Sequence, residues 1–469
     1  MVGCIRMADN PLHLPVRELT DAYARGDLNP IDVTEQVLDR IDRFDPEARA
    51  YVTVTSDLAR LQAAEAAERY RRGERAPLLG VPVSIKDAFH LADTETGLGS
   101  LTQRGRVARS DSGAVARLRA AGSVMPGKTS VPEFCQSATS DNLLGPETGN
   151  PWDPTRTPGG SSGGAAASVG AGLATIALGS DGGGSIRIPA AFSGLVGYKP
   201  TTGLCADERG FRAMTDFVTA GPLAWSVDDA RIMTEVLAET SFARASAPNR
   251  RIAFCPRPDG RPVDPAIVRT LESVAATLSD LGHEVVETDI PIQGWNEIFG
   301  PLVLDDELRE RAHLLDRPEL LTPYEQASLR AAMRLSSADV AVARQALLDF
   351  RRRIDTFLHR FDAILTPTVA TVAFPHDQRP KTIDGEKVDW LWGAFPFTSP
   401  FNVAATPAIS LPAGVHDGLP IGAQLVAAQG RDADLLNLAE SLEAALAFDY
   451  APVRERWADV ESREPEPVP

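Results

Sequence analysis

Paired cysteine, excess positive charge, a long apolar run and a histidine near its glycine clusters are all missing from this 469-residue chain. The four cysteines, Cys4, Cys135, Cys205 and Cys255, lie far apart. Their spacing excludes a disulfide framework or a thiolate zinc site and suits a reducing compartment. Lysine and arginine total 47 against 64 acidic residues, a formal net charge of −17. A nucleic-acid surface carries the opposite sign, so no nucleic-acid partner is expected, and the charge serves solubility. The nearest approach to a membrane span, residues 163–179, holds too many glycines and serines and falls short of the roughly 20 apolar residues a span requires. The opening MVGCIRMADN has no apolar core and is interrupted by Arg6, so no secretory signal is read there. The expectation is a soluble, cytoplasmic protein without a membrane partner.

Small residues, by contrast, are concentrated in one stretch. Pro158 to Pro200 is dense in glycine, alanine and serine, and its charges are confined to Asp181, Arg187 and Lys199. Such density is needed where backbone must approach backbone or a ligand closely. Two serine-bearing glycine clusters, 159–164 and 182–185, flank a small-residue segment and a short β-like run at 175–178. The pattern predicts a loop, a tightly packed helix over 165–172, a buried strand, and a second loop opening a helix at Ser185. Ser161 and Ser185 can then converge in space.

The rest of the chain alternates helical and extended patterns, an α/β arrangement. Leu19, Ala22 and Tyr23 share a helical face that Gly26 ends; Pro30 suits a first helical turn before Val33, Val37, Leu38 and Ile41. Ser56 is expected to cap a third helix and Asp111 a fourth. A strand over 79–85 delivers Lys86 and Asp87 at its end, and another short strand precedes 128–130. The prolines of 131–158 predict a long functional loop, and 206–217 reads as a second. A β–α–β pattern covers 251–287, residues 295–360 read as a helical cap, and Asp417-Gly418 joins two paired strands. Length alone suggests about three domains, although large α/β enzymes often form one unit.

A serine hydroxyl needs a base before it acts as a nucleophile. The seven histidines are scattered, and any could reach a serine in three dimensions. Lys86, closing a β-run in apolar sequence, offers another base. For about a tenth of its amine to be neutral near pH 7, its pKa must fall from about 10.4 to about 8, which desolvation can supply. Gly182, Gly183 and Gly184 can turn their N–H groups toward one point, a nest for an oxyanion. The stretch lacks the Gly-Lys-Ser/Thr ending of a P-loop. Gly160 to Gly164 fits G-x-S-x-G, but no strand precedes it, as a nucleophile elbow requires. On composition alone, a purely architectural role for the glycines stays open.

Gly80-Val-Pro-Val-Ser-Ile-Lys86-Asp87, Gly159-Gly-Ser161-Ser-Gly-Gly and Gly179-Ser-Asp181-Gly-Gly-Gly-Ser185-Ile-Arg187-Ile-Pro189 together resemble the amidase signature family. The likeness extends through Lys128-Thr129, Glu133-Phe134, Asn150-Pro151-Trp152, Gly197 to Thr201, Gly221-Pro222, Leu365 to Thr368 and Gly418 to Gln424. It implies an α/β amidase signature fold, a large central mixed β-sheet covered by helices on both faces. It also implies one domain over 1–462, with the site carried by a core at 70–230, a cap-like helical segment at 290–360 and a disordered tail at 463–469. Further implied is a Ser–cis-Ser–Lys triad: Ser185 as nucleophile, Ser161 as bridging serine after a cis peptide bond, and Lys86 as base. The amides from Gly182 to Ser185 would hold the oxyanion, with Ser162, Asp181 and Arg187 bracing the site and no metal or cofactor required. Gly182 departs from the family's usual threonine or isoleucine, a change expected to widen the pocket, and Ser193 from its frequent cysteine. By the same analogy Cys135, Gln136, Ser137, Arg209, Phe217, Trp392 and Phe397, with Trp390, are candidates to line the substrate pocket. The implied activity is hydrolysis of small or aryl amides, with carbamates or esters as further small-molecule substrates and a homodimer as a candidate assembly. The alternative is a glutamine-hydrolysing amidotransferase subunit that works with a partner on charged tRNA.

Overall fold

In a computed structural model, residues 10–245 and 249–458 are described; the tail expected at 463–469 lies outside them. Thirteen strands follow in chain order: β1 (Tyr51–Val54), β2 (Val83–Lys86), β3 (Gly127–Thr129), β4 (Ile176–Asp181), β5 (Val196–Lys199), β6 (Thr219–Ala224), β7 (Arg251–Phe254), β8 (Glu284–Glu287), β9 (Ala363–Pro367), β10 (Thr382–Ile383), β11 (Glu386–Lys387), β12 (Ala408–His416) and β13 (Leu419–Val426). Eleven of them form one sheet in the order β1-β3-β2-β4-β6-β5-β12-β13-β9-β7-β8, and β10 pairs with β11 apart from it. The sheet is mixed: β3-β2-β4 and β9-β7-β8 run parallel, while β12 and β13 form an antiparallel hairpin. Asp417 and Gly418, at φ 49° and 75°, supply the turn of that hairpin, as their sequence predicts.

The first helices are α1 (Val16–Arg25), α2 (Pro30–Ala48), α3 (Ser56–Arg71), α4 (Gly113–Ala120), α5 (Gly163–Gly170), α6 (Arg187–Ser193), α7 (Val227–Ala238) and α8 (Pro265–Asp280). They are followed by α9 (Trp295–Arg311), α10 (Pro323–Ala332), α11 (Ser337–Leu358), α12 (Ser399–Val403), α13 (Asp432–Leu446) and α14 (Ala451–Arg456). Two groups cover the sheet from opposite faces: α5 packs with α6, and α7 and α8 pack with α13. The helices α9 and α11 bury Trp295, Phe299, Leu347 and Phe350 in a second apolar cluster that reaches β7 and β9. This is the helical segment the sequence predicts over 295–360.

Local chemistry accounts for most helix boundaries. The Asn29 side chain accepts the Ile31 N–H and Pro30 opens α2, whose Val33, Val37 and Ile41 are buried. Gly26, at φ 78°, closes α1 in the left-handed conformation. Two expected caps are not made. At α3 the cap position is Thr55, and its hydroxyl donates to the Met125 carbonyl at 2.7 Å rather than capping. Helix α4 starts two residues after Asp111, whose carboxylate is taken by Arg119 and the Ala92 N–H. A turn occupies Leu79, so β2 begins only at Val83, after Pro82.

Helix α5 shows why the small residues are required. All eight of its residues are buried. A Cβ on Gly164 would lie 2.5 Å from the Ser130 nitrogen, 2.6 Å from the Ser130 oxygen and 2.7 Å from the Ala50 oxygen. Those are backbone atoms and cannot swing aside. Gly164→Ala is therefore expected to destabilise the protein by about 1–3 kcal/mol, as overpacking typically does, and urea denaturation of the variant against the parent checks this.

Candidate active site

Because β2 and β4 run parallel and adjacent, their carboxyl ends meet on the same edge of the sheet. That edge is where open α/β sheets place ligand sites. It brings Lys86, the last residue of β2, beside Ser180 and Asp181 at the end of β4. The Lys86 amine is buried and lies 2.7 Å from Ser161 Oγ, 2.9 Å from Ser180 Oγ and 3.3 Å from the Ser180 carbonyl. The Gly160–Ser161 peptide bond is cis. Ser162 bonds the Ser180 backbone through its hydroxyl, and its own N–H donates to the Ser185 carbonyl at 3.1 Å. Ser180 went unrecognised in the sequence, although it sits inside the Gly179–Pro189 motif.

Three lysines near the centre are fully buried, and their partners distinguish them. Lys128 is neutralised by Asp87 at 2.7 Å. Lys199 donates to the Pro200 carbonyl. Lys86 faces hydroxyls and a carbonyl, with no carboxylate in an ion pair among the described residues. Burial pulls its pKa below the ordinary lysine value, against the opposing influence of Cys135 and Asp181.

Asp181 and Arg187 form the buried support of this edge. Asp181 Oδ1 accepts the Gly184 N–H at 2.7 Å, and Oδ2 accepts those of Ile186 and Arg187 at 3.2 and 3.4 Å. Arg187 binds both carboxylate oxygens at 2.9 Å. Its remaining N–H groups reach the Thr398 carbonyl, Gln424 Oε1 and Asn402 Oδ1, so all five guanidinium donors are used. Burial alone would raise the Asp181 pKa; Arg187 overturns that and holds the carboxyl well below its usual range. Asn402 and Thr398 were not foreseen, for they lie more than two hundred residues along the chain from their partners.

This support corrects two expectations. Ser185 does not open the helix: α6 starts at Arg187 and has seven residues, with Ile186 at its cap. Its leading amides are spent on Asp181. Gly184, proposed for the oxyanion nest, likewise gives its N–H to Asp181. The Gly183 carbonyl is fixed by the hydroxyls of Thr398 and Ser399, both at 2.8 Å. The Gly183 and Ser185 amides have no protein acceptor among the described residues. Gly184 sits at φ 125°, and a Cβ there would run into the Thr398 side chain; only glycine fits.

A cavity of about 460 Å³ opens over these groups, lined by Ser161, Ser180, Gly182 and Ser185 on one side. Ala88, Phe89, Cys135 and residues of the loop between Thr202 and Ala220 form the rest, and among the described residues no histidine lines it. The missing side chain at Gly182 does not widen the cavity, because Met214 occupies the space: a Cβ would lie 2.6 Å from its Sδ. Of the pocket candidates, Cys135 and Arg209 line this cavity and the others do not. With its side-chain amide turned over, Gln136 pairs with Glu307 and Arg311 at 3.0 and 3.1 Å. The Ser137 hydroxyl is held by Thr139 and Arg379. Phe217 is stacked on Phe299 with ring centroids 5.1 Å apart, and Trp392 packs edge-on against Trp295 and Phe299. Phe397 is in the main core, and Trp390 lies under Arg379 at the surface. Aromatic rings find more partners in the core than in a hydrated pocket, and here packing wins.

Residues 32–436 match the family model described as Amidase. The chain belongs to the amidase signature family. It is 37% identical over 438 residues to AmiB2 of Mycobacterium tuberculosis, an amidase named only provisionally, covering 90% of this chain and 94% of that one. An acylamidase of Rhodococcus erythropolis is 32% identical, with 93% and 97% covered. The A subunit of the glutamyl-tRNA(Gln) amidotransferase of Carboxydothermus hydrogenoformans is 30% identical, with 94% and 98% covered. Among solved structures, a bacterial aryl acylamidase of the same family superposes with a TM-score of 0.87 at 25% identity, covering 97% of this chain and all of that one. This amidase is thus a hydrolase of C–N bonds on a mixed 11-stranded sheet. Among its described residues no helix is long and apolar enough to cross a membrane.

Arg187→Met would leave the Asp181 carboxylate buried without its counter-charge. The expected loss is about 3–5 kcal/mol, the cost of removing one partner of a buried pair, to be read as a lowered urea midpoint. Gly182→Ile is expected to displace Met214 and lower kcat/KM for every amide tested, measured alongside an unaltered circular dichroism spectrum.

Proposed function

We propose that this amidase hydrolyses small or aryl amides through an acyl-enzyme on Ser185, with Lys86 and Ser161 relaying the proton. One observation carries the reading: the buried Lys86 amine, in no ion pair among the described residues, faces Ser161 at 2.7 Å, in the cavity that Ser185 also lines. A neutral amine has two N–H groups and one lone pair. Ser180 offers two acceptors, its hydroxyl and its carbonyl. Both N–H groups can be satisfied there, which turns the lone pair toward the Ser161 hydroxyl.

The chemistry then follows. Ser161 gives its proton to Lys86 as it takes one from Ser185, whose Oγ attacks the amide carbonyl. The oxyanion is met by the Gly183 and Ser185 amides, which have no competing acceptor. Collapse of the tetrahedral species breaks the C–N bond, and the proton returns through Ser161 to the departing amine. Water, deprotonated along the same path, attacks the ester carbonyl and releases the acid. Carbamates and esters pass through equivalent intermediates and are proposed as further substrates. Gly184, Asp181 and Arg187 hold the loop in place without touching the reacting atoms.

The likeness to an amidotransferase A subunit at 30% identity supports a second reading, hydrolysis of glutamine for a partner. Glutaminase activity that appears only when amidotransferase partner subunits are added would favour it.

Ser185→Ala and Lys86→Ala are each expected to lower kcat on p-nitroanilides by at least about 10³-fold, as removing a member of a catalytic unit does. Because the neutral lysine is the active form and burial lowers its pKa, kcat/KM should rise with pH and level off below the ordinary lysine value of about 10.4. A profile flat across about pH 6–9 would remove Lys86 from the role of base.

A further inference from the structure

Two arginines of the cavity wall, Arg209 and Arg212, stand out because neither is in an ion pair among the described residues. The loop from Asp207 to Arg212 lines the cavity opposite the serines. Its two carboxylates dock it onto the start of α4. Asp207 Oδ1 accepts the Ala114 N–H at 3.0 Å, and Glu208 binds Arg117 at 2.8 and 3.0 Å while its carbonyl accepts the Gly113 N–H at 2.7 Å. Asp111, the carboxylate that Arg209 influences from outside the loop, is held by Arg119 at 2.6 and 3.0 Å. Arg209 and Arg212 remain, with no carboxylate in ion-pair contact among the described residues. Arg209 adopts φ 63° ahead of Gly210, whose N–H closes a turn onto the Asp207 carbonyl at 3.3 Å. Its backbone is thus set by the docked turn and not by a partner of its side chain.

The same cavity has apolar lining as well, from Phe89, Phe211, Met214 and Val218. We infer that the cavity takes amides bearing a carboxylate at the end remote from the scissile carbonyl, with an apolar spacer between, and that Arg209 and Arg212 bind that carboxylate. The inference rests on the reading of the cavity as the amide site. Guanidinium groups suit a carboxylate because paired N–H donors match its two oxygens. A chain of net charge −17 repels anions at long range. Arg209 and Arg212 set two positive charges on the cavity wall, beside Asp207 and the Arg117-paired Glu208.

Calorimetry on the Ser185→Ala protein tests this, using succinanilic acid and its methyl ester as paired ligands. The acid is expected to bind about tenfold more tightly than the ester, equivalent to about 1.4 kcal/mol. In Arg209→Gln/Arg212→Gln on the same background, the two ligands should bind within about twofold of each other. Added chloride gives a measurement without the arginine variants: raising salt from about 0.05 to about 0.5 M should shrink the preference for the acid, as screening requires. An ester bound as tightly as the acid, or a preference that survives both the double variant and salt, overturns the inference. Hydrolysis of neutral anilides by the parent enzyme without any preference for the acid defeats this inference alone and leaves the amidase reading standing. Selective binding of the acid without hydrolysis of any amide upholds the anion site and defeats the reading of the reaction.

Discussion

The buried pair of Asp181 and Arg187 is the constraint on which the site depends. Two full charges removed from water are tolerated only when each is paired and every remaining hydrogen-bonding position is filled. Here the carboxylate gathers backbone amides from the loop that carries Ser185, and the guanidinium gathers acceptors from α12 and β13. The pair therefore fixes the loop's direction from below. Thr398 and Ser399 fix it from above through the Gly183 carbonyl. With those groups set, few orientations remain for the amides that face the cavity.

Small residues do the complementary work. Where α5 crosses β3, glycine lets a helix approach the backbone to within ordinary contact, and the Ser161 turn is thereby delivered to the end of β2. Desolvation of Lys86 follows from that closeness. The amine is buried by the neighbouring chain segments, and burial favours its uncharged form. Packing density and proton affinity are two results of one composition.

Much of this was legible in the sequence. Alternating patterns gave the α/β class, Asn29-Pro30 and Gly26 marked helix ends, and the glycine clusters pointed to the edge where Lys86, Ser161 and Ser185 line up. Less legible was how individual polar groups would be spent. Thr55 and Asp111 carry the chemistry of helix caps but are claimed by Met125 and Arg119. Gly184 has the amide of an anion nest, yet Asp181 reaches it first. The aromatic candidates failed for the same reason, since Phe217 and Trp392 have other rings to pack against. Local pattern shows what a residue can do, and competition among distant partners decides what it does. Met214 and Arg212, inside a loop already singled out, could be assigned no direction without the fold.

Arg187 draws on Thr398, Asn402 and Gln424, so its neighbourhood is completed by residues more than two hundred positions further along the chain. A ribosome that has released Ser185 into solution has not yet made the groups that orient it. Loosening of β13 would withdraw Gln424 from Arg187 and so slacken the loop that carries Ser185, although strand and loop are far apart in sequence.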